Sequence, residues 1–212
     1  MIIQVAVGKP IPGKIELFNQ FILMNLDLAS QCGVPSNVKV SSYGTPGVEI
    51  STMFSFSSWE ELGSKTDEMR QHQKFKEIMD FGGKTEAFGE AVDSYVASLL
   101  PGFDSDSKFS EGPILATVWR PLQGKLGEML GTFQKGREIH EKHGAKVRVF
   151  SIIGGRYAGN FAYNMSFSDN TAYGKCMSAM VEDHTRFMLE VDAEPNSEQV
   201  AQFMLDKPVI VG

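Results

Sequence analysis

Pro10-Ile11-Pro12-Gly13-Lys14-Ile15 returns later in the chain as Pro121-Leu122-Gln123-Gly124-Lys125-Leu126. The second copy starts 111 residues after the first, and that spacing recurs. It carries Ser55-Phe56 onto Ser166-Phe167, Gly63 onto Gly174 and Met69 onto Met180. Val38-Lys39-Val40 matches Val147-Arg148-Val149 at a spacing of 109, and the loop from Ile153 to Asn160, two residues longer, restores the register. His72-Gln73-Lys74-Phe75 matches His184-Thr185-Arg186-Phe187 at 112. Ordered matches along both halves mark a tandem duplication. The step from 111 to 112 lies inside an expected helix and requires a kink or a break there.

Working outward, each half reads the same way. A strand (about 2–8, then about 114–120) leads into the Pro/Gly turn, where the first helix starts. Ile15, Phe18, Ile22 and Leu26 recur at helical spacing, as do Leu126, Met129, Leu130 and Phe133. Gly33 and Gly144 stop these helices. Strand pairs follow at about 37–43 with 48–56 and about 146–153 with 160–167, the first joined by the turn Gly44-Thr45-Pro46-Gly47. A second helix is expected at about 58–79 and 169–190, then a last strand near 93–100 and 200–206. The pattern is βαββαβ twice, an α+β chain of two ferredoxin-like units. Residues 1–100 form the first repeat, 101–112 a Gly/Ser/Asp-rich linker and 113–212 the second repeat.

The 212 residues can bury a real core without a disulfide or metal staple. A formal charge of −6 opposes a nucleic-acid partner, which wants a basic face. No apolar run has the length of a membrane span, and Met1-Ile2-Ile3-Gln4-Val5-Ala6-Val7 reads as a strand rather than a leader. Cys32 and Cys176 match no metal spacing and are expected as buried, inert thiols, so the expected setting is reducing and cytoplasmic.

Alternation assigns the strand faces. Val48, Ile50, Thr52, Phe54 and Phe56 share one side, and Phe161, Tyr163, Met165 and Phe167 repeat it. That side lies under the helices. The other side is expected to carry Gln4, Lys39, Ser41 and Tyr43 in the first half. In the second half it carries Thr117, Trp119, Arg148 and Phe150. One open face per repeat implies that the two open faces pack together.

The doubled pattern, with Phe54-Ser55-Phe56-Ser57-Ser58-Trp59-Glu60-Glu61-Leu62-Gly63 and Met165-Ser166-Phe167-Ser168-Asp169-Asn170-Thr171-Ala172-Tyr173-Gly174 as its strand-to-helix steps, resembles the dimeric α/β-barrel superfamily in its NIPSNAP-like branch. The resemblance spans most of both halves and implies a barrel that one chain closes alone. Its motifs are structural. Relatives include cofactor-independent monooxygenases, heme-degrading enzymes, dehalogenating and cyclising enzymes, and proteins without known activity.

The barrel lumen is the expected ligand site. Lys39 and Arg148 are repeat-equivalent and, with Glu49 on the next strand, form a candidate charged floor able to hold an anionic oxygen. Lys39 with Glu49 is equally a plain cross-strand ion pair. Tyr43, Met53, Trp119 and Phe150 share that face and, with Asn164 and the loop residue Tyr157, are the candidate ligand contacts; simple packing between sheets is the alternative. Arg156 and Tyr157 lie in a glycine-rich loop that reads as a lid or as an ordinary hairpin. His72 and His184, each three residues before a Phe, are candidate general bases or satisfied helix-edge histidines. His140 and His143 have metal-compatible spacing but also read as a polar helix end, and no metal or cofactor is expected. The leading expectation is a small-molecule-binding barrel, a monooxygenase or isomerase acting on a carbonyl or phenolic substrate. A non-catalytic binding or assembly protein is the alternative, and heme binding or degradation a third reading. An aromatic or anionic small molecule is the expected partner, with no nucleic acid, no membrane, and a homo-oligomer possible.

Overall fold

The first half runs β1 (Ile2–Pro10), α1 (Ile15–Gln31), β2 (Ser36–Tyr43), β3 (Ile50–Phe56), α2 (Trp59–Gln71), α3 (Gln73–Lys84) and β4 (Gly89–Leu99). The second runs β5 (Ile114–Pro121), α4 (Leu126–Lys142), β6 (Lys146–Ile152), β7 (Phe161–Ser166), α5 (Asn170–Ala179), α6 (Val181–Ala193) and β8 (Ser197–Asp206). This computed structural model describes residues 1–45, 47–103 and 111–207. Pro46 of the expected hairpin turn and residues 104–110 of the expected linker lie outside the described residues.

The strands close into one antiparallel barrel in the order β1-β3-β2-β8-β5-β7-β6-β4. Each half contributes four adjacent strands, and the β2–β8 and β4–β6 pairings join the halves. Closure removes the sheet edges that a lone half would expose. The helices lie outside. They cover the second-half sheet through a core that includes Met129, Phe133, Val147 and Met165, and the first-half sheet through Ile2, Leu28 and Phe56. A third cluster, with Val5, Met53, Val118, Phe150 and Ile152, fills part of the lumen. The α+β architecture of two ferredoxin-like halves in a single-chain barrel is as expected.

Local chemistry sets the helix starts. Ser58 Oγ accepts the Glu61 amide at 3.1 Å, and Asp169 Oδ1 accepts the Ala172 amide at 2.8 Å. The long second helix is broken in both halves, but at different places. His72 interrupts the first with extended backbone (φ −70°, ψ 139°) and its Nδ1 accepts the Lys74 amide at 3.2 Å. The second breaks at Met180. From there α3 (Gln73) and α6 (Val181) start 108 residues apart, as do β4 (Gly89) and β8 (Ser197). His72 therefore corresponds to Met180 and His184 to Lys76, so the histidine match at 112 is not a structural equivalence.

Register corrects four face assignments. Residues directly opposite on antiparallel strands share a face. Gln4 pairs with Phe54, Thr117 with Tyr163 and Trp119 with Phe161, so all three lie on the helix side and not in the lumen. Tyr43 follows a register shift after Ser41 and sits opposite Met204, again on the helix side. Strand alternation misled at β5 because both its faces are apolar.

Gly44 holds the β2–β8 joint at φ +90°, and a Cβ there would lie 2.2 Å from the Gln202 carbonyl oxygen. Gly44→Ala is expected to cost about 2–3 kcal/mol through left-handed strain and backbone displacement, measured by chemical denaturation. A loss within a few tenths of a kcal/mol would contradict this close approach.

Candidate functional site

A cavity of about 300 Å³ opens between the second-half sheet and helices α4, α5 and α6. Trp119, Phe133 and Met177 are among its apolar walls, and Tyr163, His140 and His184 supply its inner polar groups. Tyr43 reaches it from the first half.

Side chains from three elements form a hydrogen-bonded chain. Tyr163 Oη on β7 lies 2.7 Å from His140 Nδ1 on α4, and His140 Nε2 lies 3.3 Å from His184 Nδ1 on α6. Burial, then the neighbouring His184 and His143, lowers the His140 pKa to about 4. Burial lowers that of His184 as well and raises the Tyr163 hydroxyl. Both imidazoles are therefore neutral near pH 7, and the chain can hold its protons in either direction. Tyr43 and Tyr173 place a second pair of hydroxyls on the cavity, 3.0 Å apart. Burial and this bond raise the Tyr43 pKa.

Among the described residues, the first half has no such chain. At the spacing of 111 that holds across α1/α4 and β3/β7, Ala29 stands for His140 and Thr52 for Tyr163. The ring of Phe18 packs where a Cβ at Gly8 or Gly89 would fall, 2.8 and 2.3 Å away. Phe88 closes over Phe18, Phe21 and Phe81. Aromatic packing thus occupies in one half what remains open in the other.

A second cavity, of about 260 Å³, lies in the lumen and shares no lining residue with the first. Glu49, Met53, Phe150, Asn164 and Tyr157 line it, as the sequence placed them. Asp93 Oδ1 accepts the amides of Ser94 (2.9 Å) and Arg156 (3.2 Å), and the Arg156 guanidinium stacks 4.9 Å from the Tyr157 ring.

The expected charged floor does not assemble. Lys39 is fully buried and opposite Ser51 rather than beside Glu49. Its ammonium donates to the carbonyls of Gly112 (2.6 Å) and Glu111 (3.1 Å), and it lines neither cavity. Burial lowers its pKa to about 8. Arg148 is buried against a separate space of about 40 Å³. His72 is a helix cap away from both cavities. His143 turns from His140 to Asp183, at 3.0 Å, so the two do not converge on a metal; hydrogen bonds from Lys142 and His143 hold Asp183 at about 2.

Sequence reasoning missed His140 as a relay member, and Tyr163 and Tyr173 altogether. The available signal was the comparison between halves, in which alanine and threonine become histidine and tyrosine on buried faces.

A heme, which the family resemblance brings in, needs an axial base and cations facing its two carboxylates. His184 supplies a base. Among the described residues no lysine or arginine lines this cavity, which at about 300 Å³ is smaller than an iron porphyrin. The residues do not fit that group.

No family profile matches the chain, and no curated protein matches it. Solved structures do. A "putative monooxygenase" from Fusobacterium nucleatum is 10% identical, with 97% of this chain and 92% of that chain covered and a TM-score of 0.59. A "putative chlorite dismutase" is 8% identical over 97% and 93%, with a TM-score of 0.60. An anthrone oxidase-like protein is 11% identical over 96% and 91%, with a TM-score of 0.54. The chain has the dimeric α/β-barrel fold, shared at the level of architecture. Among the described residues no helix is long and apolar enough to cross a membrane.

Proposed function

We propose that the protein is an enzyme that binds a planar aromatic, phenolic or carbonyl molecule in the helix–sheet cavity and removes a proton from it with His184. The Tyr163–His140–His184 chain, opening on an apolar cavity, is the observation that carries this reading. With His184 Nδ1–H donating to His140 Nε2, and His140 Nδ1–H donating to Tyr163, His184 Nε2 is left as a basic acceptor. His140 and Tyr163 position it. The substrate's C–H or O–H proton passes to Nε2, its electron pair delocalises onto the substrate oxygen, and a Tyr43 or Tyr173 hydroxyl donates to that oxygen. Returning the proton to another carbon gives isomerisation. Transfer of that electron pair to dioxygen with C–O bond formation gives a peroxide that takes back the proton from His184, and loss of water leaves a carbonyl at that carbon, which is cofactor-independent oxygenation. The names of the monooxygenase and the anthrone oxidase-like protein agree with this chemistry.

The same reading includes placement in the NIPSNAP-like branch, supported by the two strand-to-helix steps, and origin by tandem duplication, supported by the ordered 111-residue spacing. A cytoplasmic setting is supported by two buried free cysteines, and homo-oligomerisation by the exposed Val181 and Leu189 on α6.

Deuterium exchange at the carbon next to the carbonyl of 2-tetralone tests the base. The wild type is expected to accelerate exchange, with an acid limb below the ordinary histidine pKa of 6.5. His184→Ala is expected to lose about 100-fold or more of that acceleration. Binding of 2-tetralone with equal exchange in wild type and His184→Ala would overturn the assignment.

A further inference from the structure

The lumen has its own chemistry. Its wall is mostly aliphatic and aromatic, yet Glu49 and Asn164 place polar groups on it that the fold does not use. Glu49 is half-buried, and its carboxylate makes no hydrogen bond or ion pair among the described residues. Asn164 Oδ1 is buried and also lacks a hydrogen-bond partner. Polar groups withdrawn from water without partners are costly, which makes both points of demand for a ligand.

Their placement defines the ligand's shape. Glu49 precedes β3 and Asn164 lies on β7, and these strands stand opposite each other in the eight-strand order. The other charges fix polarity. Arg148 faces Asn164 across the β6–β7 register, which disfavours a cation at that end. Asp93 accepts two backbone amides at Oδ1, and Arg156, stacked on Tyr157, brings a cation to the same stretch of wall. An ammonium group therefore belongs at Glu49, and a neutral donor at Asn164.

We propose that the barrel lumen is a second binding site, independent of the helix–sheet cavity, for a short two-headed molecule of the amino alcohol class: an ammonium paired with Glu49, an apolar middle against Met53 and Phe150, and a hydroxyl donating to Asn164 Oδ1. The charge-assisted bond to Glu49 carries most of the selectivity.

Calorimetric titration with 6-aminohexan-1-ol tests this, with hexylamine and 6-hydroxyhexanoate as comparison ligands. The wild type is expected to bind the amino alcohol roughly tenfold more tightly than the hydroxy acid. Glu49→Gln is expected to lose about tenfold for the amino alcohol, and Glu49→Asp to keep most of the affinity. Asn164→Leu is expected to weaken the amino alcohol and leave hexylamine unchanged. His184→Ala, in the other cavity, is expected to change nothing. Wild-type protein that binds no amino alcohol, or binds the hydroxy acid equally well, overturns the proposal. So does unchanged affinity in a folded Glu49→Gln protein. Loss of binding in His184→Ala places the probe in the helix–sheet cavity and also overturns it, without touching the base assignment there.

Discussion

Lys39→Ala is expected to lower the unfolding free energy by about 4 kcal/mol, roughly 12 °C in thermal midpoint for a chain of this size. Lys39 has no exposed surface, and its ammonium is bonded to the carbonyls of Glu111 and Gly112 where the chain enters β5. Truncation removes buried methylenes and leaves those carbonyls without their donor. The segment has little room to compensate. A Cβ on Gly112 would already lie 2.1 Å from the Phe167 carbonyl oxygen, and the Phe167 amide is bonded to the Pro113 carbonyl at 3.0 Å. Lys39→Met, which refills the volume without the donor, is expected to cost about 1–2 kcal/mol. Chemical denaturation of the three proteins checks the order. A loss below about 1 kcal/mol for Lys39→Ala would remove the clamp from the account of the fold.

The same residue has a pH signature. Unfolded Lys39 keeps its proton to its ordinary value of 10.5, whereas folded Lys39 releases it near 8. Between these values the unfolded chain binds more protons, so this group makes stability rise with pH across that window. Lys39→Met lacks that rise.

Lys39 also shows where the sequence ceased to be legible. Alternation put its side chain correctly on the inner side of β2, but nothing local showed that a carbonyl pair more than 70 residues away would take its charge. The fold was readable because β3 and β7 have one polar and one apolar face. Trp119 was misplaced because β5 lacks that contrast, and Tyr43 because the shift after Ser41 reverses its face. The histidine match at 112 misled because α5 runs only 10 residues before its break where α2 runs 13, so beyond the breaks at His72 and Met180 the halves align at 108 and His184 falls on Lys76. The relay was hidden for a different reason. His140, Tyr163 and His184 come from α4, β7 and α6 and form no sequence motif. Only packing brings them together.

That packing makes the protein acid-sensitive. An unfolded histidine takes up its proton near 6.5, while burial and the charges of His184 and His143 hold folded His140 near 4. From pH 6.5 down to about 4 the unfolded chain binds more protons, so stability falls as pH falls. His140 alone is expected to contribute about 3 kcal/mol of that loss, roughly 10 °C in thermal midpoint. His184, also lowered by burial, acts in the same direction. His140→Leu removes the effect at its source. It leaves the Tyr163 hydroxyl without its partner and so is expected to cost about 1–3 kcal/mol near neutrality, yet its thermal midpoint should fall less between pH 6.5 and 4 than that of the wild type. Asp183 separates from this behaviour because its pKa of about 2 lies below its ordinary 3.8, so its stabilising ion pairs weaken only at lower pH. Parallel midpoint curves for wild type and His140→Leu between pH 6.5 and 4 would show that His140 is not held neutral by burial, and the relay would lose the proton state on which its basicity depends.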